Sequence, residues 1–113
     1  MNRRVVVTGM GVISPIGNNL EEFWNALLEG KCGIGPITKF DTTEYKAKLA
    51  AEVKDFNARD YMEKAEMLRS DLYAQYGLAS ACQAVEDSKI IGTVEPERIG
   101  VYYGTGIGGM DTF

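Results

Sequence analysis

Residues 98–109, RIGVYYGTGIGG, constrain this chain more than any other stretch. Ile99, Val101, Tyr102 and Tyr103 read as an apolar strand, and glycines at 104, 106, 108 and 109 follow at once. Glycine has no Cβ, so a strand that empties into glycines brings backbone close to a ligand, a partner or another loop. A second junction of this kind opens the chain. Arg4 to Gly9, RVVVTG, is also a strand pattern, and its consecutive Val5, Val6 and Val7 suit burial on both faces, as in a parallel sheet. Two such strands joined by helices predict a right-handed crossover in an α/β fold. One parallel pair leaves apolar edges bare. The 113 residues are therefore expected to be part of a larger α/β protein, or to be completed by another chain. Alone they are expected to aggregate or to stay molten.

Helices fill the interval. Asn19 is a cap for a helix opening at Leu20, and Glu22 gives it a capping-box-like start. Leu20, Phe23, Trp24, Leu27 and Leu28 make one apolar face, and Gly30 stands where a left-handed cap is expected. Residues 31–57 carry turn signals and a possible short strand near Leu49 to Val53. A helical stretch begins near Arg59, and a longer helix spans about Asp71 to Ser88. Its stripe of Ala74, Gly77, Leu78, Ala81, Cys82 and Val85 is built of small residues that permit close approach. Gly77 costs a helix roughly 1 kcal/mol against alanine, which implies tight packing there. A turn over Ile91 to Pro96 precedes the second strand, so the order is strand, helix, excursion, helix, strand.

The totals exclude several chemistries. There is no histidine, so no Ser/His/Asp or Cys/His site is complete within these residues. Cys32 and Cys82 form neither a CxxC pair nor a disulfide framework and read as reduced thiols packed as small apolar groups. A net charge of −4 lacks the footprint of a nucleic-acid binder, and no segment reaches the length of a membrane span. Glycines and Pro15 interrupt the N-terminal apolar run, so it reads as a cytoplasmic start on a buried strand rather than a signal peptide. Between residues 44 and 70, six basic side chains face six acidic ones, a mixed solvated surface.

The two glycine loops have separate readings. Gly9-Met10-Gly11-Val12-Ile13-Ser14 has Ser14 where a dinucleotide fingerprint needs its third glycine, and the helix opens too late to face a pyrophosphate. Tight strand-to-loop geometry accounts for it better. Gly104-Thr105-Gly106-Ile107-Gly108-Gly109 lacks the Lys-Ser/Thr of a phosphate loop. It is either a backbone wall of an apolar pocket from which Ile107 projects, or a tight turn at a sheet edge or interface.

Five segments in order carry a family resemblance: RRVVVTGMGVISPIGN, FWNALLEGKCGI, FDTTEYKAKLAAEVKDFN, AVEDSK and RIGVYYGTGIGGM. Together they resemble the N-terminal portion of the β-ketoacyl-acyl carrier protein synthases, type II in particular, across the whole chain. The isoleucine in GTGIGG and the FDT…VKDFN segment favour type II, since the type I enzyme usually has glycine at the place of Ile107. Polyketide ketosynthases and their non-catalytic chain-length partners are similar here.

The resemblance implies the N-terminal part of a thiolase-like α-β-α-β-α layered fold, incomplete in residues 1–113, with no second domain. It implies a homodimeric acyltransferase. A cysteine takes an acyl group from a carrier thioester, and the acyl-enzyme condenses with malonyl-carrier as carbon dioxide leaves. Two histidines stabilise the developing charge, with no metal or cofactor. None of these catalytic residues falls within the chain, which alone should be inactive, and neither Cys32 nor Cys82 matches the nucleophile. By the same resemblance, Gly106 and Ile107 belong to the mouth of the acyl pocket. Lys64 and Arg69 belong to a basic helix that receives the acidic acyl carrier protein. Ala65 and Leu68 stand where that helix often has further basic residues.

Overall fold

The structure, a computed structural model, describes residues 2–110. It separates into two compact units, one of residues 12–56 and one that joins residues up to Gly11 with those from Asn57 onward.

In the first unit, helix α1 spans Leu20–Leu28. The Asn19 Oδ1 accepts from the Glu22 N–H at 2.9 Å, and the Glu22 carboxylate accepts from the Asn18 N–H at 2.9 Å. These side chains satisfy two N–H groups at the helix start, as the sequence pattern predicts. At the other end Gly30 adopts φ +69°, its N–H reaches the Leu27 carbonyl, and the Lys31 N–H reaches the Ala26 carbonyl at 2.8 Å. Those paired bonds form a Schellman motif, and the left-handed residue it requires is the expected glycine. The apolar face is covered only in part. Ala26 is buried and Phe23 half-buried, whereas Trp24, Leu27 and Leu28 are exposed.

After α1 come two short antiparallel strands, β1 (Gly35–Pro36) and β2 (Leu49–Ala50), with Pro36 opposite Leu49. The strand expected over Leu49 to Val53 is thus present in its first two residues. The enclosed loop satisfies itself. Asp41 accepts from both the N–H and the hydroxyl of Thr43, and the Lys48 ammonium caps the carbonyls of Thr42 and Thr43. The Phe40 and Tyr45 rings meet edge to face at 5.5 Å. Glu52 closes the base by accepting from the Thr38 N–H and hydroxyl. The Thr43 hydrogen bonds hold the Asp41 carboxyl below its ordinary pKa, and those from Thr38 do the same for Glu52.

In the second unit, a 3₁₀ turn over Ala58–Asp60 leads to α2 (Lys64–Met67) and then α3 (Leu72–Ser88). The expected long helix forms within a residue of its predicted bounds, and Lys89 ends it in the left-handed region at φ 52°. The buried residues of α3 are Gln75, Gly77 and Ala79, and Ala79 is 0% exposed. Gln75 and Ala79 lie off the expected stripe, because a second face of α3 packs against the segment from Ala58 onward. The Gln75 amide donates to the carbonyls of Met67 and Ser70, and the Gln83 amide donates to the Tyr61 hydroxyl at 2.9 Å.

The two expected strands are corrected by the structure. Among the described residues neither 4–9 nor 99–103 joins a ladder, and no parallel crossover forms between them. Val5 is 91% exposed, and Val6, Val7, Val101 and Tyr102 are exposed as well. A strand is a property of two segments, and neither of these has a ladder partner among the described residues. Cys32 is also exposed, where a packed thiol was expected, and Cys82 is half-buried.

Candidate functional site

Helix α3 organises both glycine junctions. A Cβ on Gly9 would stand 2.5 Å from the Ala84 carbonyl and 2.7 Å from the Ser88 Cβ, and one on Gly11 would collide with the Ser80 carbonyl. The Asp87 carboxylate accepts from the Met10 N–H at 2.9 Å. The first loop therefore lies flush on α3, and its glycines serve helix contact. The helix backbone fills the space that a phosphate would need beside them, so the loop is tightly packed as expected, although among the described residues no strand leads into it.

The second loop is seated on the first two turns of the same helix. The Tyr103 ring covers Gly77, where a Cβ would lie 2.6 Å from Cζ and 2.8 Å from Cε1. The Tyr103 hydroxyl lies 3.5 Å from the Tyr73 carbonyl. Thr105 turns its hydroxyl inward to accept from the Gly108 N–H at 3.2 Å, and Gly108 adopts φ +84°. At Gly109 a Cβ would fall on the Asp71 carboxylate. Between these anchors the loop is open. Nothing stands within 4 Å of a Cβ placed on Gly104 or Gly106, and Ile107 is 79% exposed.

An apolar groove of about 510 Å³ runs between α3 and residues 101–103, lined among others by Ala74, Leu78, Ala81, Val101 and Tyr102. It stops short of Gly106 and Ile107. On α3, burial pushes the Tyr76 hydroxyl above its ordinary pKa.

The basic pair lies elsewhere in the unit. Lys64 opens the four-residue α2 and Arg69 follows its end, both exposed, and the intervening Leu68 is 71% exposed. The pair sits beside an apolar side chain rather than in a continuous basic surface. The residues that sequence reasoning missed are Tyr103, Tyr73 and Asp71, which seat the loop. The readable signal was Gly77, a costly residue in mid-helix with an aromatic side chain waiting elsewhere to cover it.

These features belong to one class of protein. Residues 2–112 match the family described as Beta-ketoacyl synthase, N-terminal domain, and the chain belongs to that family. It is 50% identical over 110 residues to the 3-oxoacyl-acyl-carrier-protein synthase 2 of Vibrio harveyi, covering 96% of this chain and 26% of that protein. Against the synthase 2 of Staphylococcus aureus strain COL the identity is 47% over 113 residues, or 99% of this chain and 27% of the other. Against that of Synechocystis it is 44% over 109 residues, or 96% and 26%. The chain thus spans about a quarter of the length of the curated relatives it matches. Among solved structures it is similar to the ishigamide ketosynthase/chain length factor, with a TM-score of 0.72 and 36% identity over 88% of this chain and 24% of that one. The fold is accordingly thiolase-like. Segments 4–9 and 99–103 both fall within the matched residues, and neither joins a ladder among the described residues. No helix among the described residues is long and apolar enough to cross a membrane.

Proposed function

We propose that these residues serve as the N-terminal part of a β-ketoacyl-acyl carrier protein synthase II, a cytoplasmic homodimer of layered α-β-α-β-α architecture. The observation that carries this reading is identity of 44–50% to synthases of that name over nearly the whole chain. The reaction is a decarboxylative condensation. An enzyme thiolate displaces the carrier thiol from an acyl thioester. The malonyl carrier then loses carbon dioxide, its carbon attacks the acyl carbonyl, and the enzyme thiol leaves as the 3-oxoacyl carrier forms. These 113 residues hold no histidine, so the histidines of that scheme come from outside them.

The part assigned to this segment is recognition of substrate. Ile107 and Gly106 form the mouth of the acyl pocket, and the open space around both supports that role. An exposed isoleucine on a glycine loop has room to change rotamer and so to admit or block a chain. Lys64 and Arg69 receive the acidic carrier protein. Leu68 between them adds apolar contact, so charge steers the encounter while the leucine supplies burial.

One observation favours a second reading, a polyketide ketosynthase or its non-catalytic chain-length partner: the structural likeness to the ishigamide ketosynthase/chain length factor. The test is a condensation assay on the longest natural polypeptide that contains these residues, with acyl-carrier and malonyl-carrier thioesters. Release of carbon dioxide with a 3-oxoacyl-carrier product from saturated fatty acyl primers supports the synthase, and the same release from 3-oxoacyl primers alone supports the polyketide ketosynthase. Absence of both acyl-enzyme and product overturns it in favour of the chain-length partner.

A further inference from the structure

We propose that Gly77 and Tyr103 form a positioning pair that sets the height of the glycine loop on α3 and thereby the reach of Ile107. The seating itself stands on geometry alone; its effect on acyl selection rests on the synthase reading above.

Three atoms of the Tyr103 ring lie over Gly77, at 2.6, 2.8 and 3.1 Å from the position a Cβ would take. Only glycine lets the ring lie that low on the helix. The hydroxyl end points to the carbonyl of Tyr73, and the far end of the loop is stopped where Gly109 meets Asp71. The Tyr73 ring also stands 3.9 Å from the Cβ position of Gly108. Both ends of the loop are thus set by α3, whereas a Cβ placed on Gly104 or Gly106 in its middle would meet nothing within 4 Å. Ile107 is exposed, so the anchors and not its own packing decide where it stands. Tyr103 contacts Gly77 and the Tyr73 carbonyl, so it acts through the loop as a positioning residue.

The pair is tested by Gly77→Ala, Tyr103→Ala and the double variant, in the longest natural polypeptide that contains these residues. Alanine at 77 lifts the ring and tilts the loop. The expected result is a roughly tenfold fall in kcat/KM for the longest acyl primers, with short primers spared. Removing the ring in the double variant relieves the collision, so adding Tyr103→Ala to Gly77→Ala costs nothing further. A merely structural role would lower all primers alike. Amide exchange of Gly108 is the readout that needs no activity. It rises in Tyr103→Ala, which alters an exposed side chain and leaves the helix intact. If Gly108 exchange is unchanged in Tyr103→Ala, the seating is overturned, whether or not the protein condenses thioesters. If exchange rises but primer selection does not move in an active enzyme, the seating holds and its link to Ile107 is overturned. If exchange rises in a protein without condensation activity, the pair stands and the synthase reading falls.

Discussion

The loop between β1 and β2 and the segment 99–103 are both irregular, yet they solve opposite problems. The first closes on itself: Asp41, Lys48 and Glu52 take up local N–H groups and carbonyls, and two rings cover each other. The second leaves Val101 and Tyr102 exposed and relies on a distant helix for its one aromatic anchor. The difference is one of range. Polar turn chemistry is satisfied within a span of 14 positions here, whereas an apolar strand has to find its partners far away in sequence.

The strongest way to break the comparison is to disturb a long-range contact. Gly11→Val places a branched side chain against the backbone of α3. It should destabilise the second unit by about 1–3 kcal/mol in urea unfolding, as core overpacking on a rigid backbone does. A loss below about 0.5 kcal/mol would show that the loop can lift off the helix freely. Next in size is Ile107→Phe. Kinetics with a series of acyl primers should show roughly tenfold or greater loss for the longest and little change for the shortest. An unchanged profile removes Ile107 from the pocket mouth.

Local contacts should respond less. Asn19→Ala deletes the acceptor for the Glu22 N–H and should cost about 1 kcal/mol, read as reduced α1 protection in amide exchange. The smallest effect is expected in acid. Hydrogen bonds from Thr38 lower the folded-state pKa of Glu52, so the clasp contributes fully above the ordinary glutamate pKa and is lost as pH falls through the lower folded value. An NMR titration should show the Thr38 amide shifting in that acidic window and staying still in Glu52→Gln. A Thr38 amide that titrates in the variant would place the proton elsewhere.

The same contrast explains what was legible beforehand. Helix α1 was readable to the residue because Asn19, Glu22 and Gly30 act within one turn of their own positions. Helix α3 was readable from its length and its small residues, but Gln75 was not foreseen as buried, because its partners are carbonyls of another segment. The strands over 4–9 and 99–103 were read from side chains that fit a sheet, and pairing is not written in either segment alone. For the site, Ile107 and the glycines around it were visible, whereas Asp71 and Tyr73 look like ordinary residues of a helix start. Only the fold brings the loop to them.

The hydrogen bond from Met10 to Asp87 spans 77 positions of the chain. A ribosome adding roughly 5–20 residues per second needs about 4–15 s to cover that interval. For most of that interval Val5, Val6 and Val7 already exist while the helix that receives the adjoining loop has not been started. The apolar run at residues 5–7 therefore waits for the helix that anchors its neighbour, a delay in which a chaperone that grips short apolar segments has something to hold.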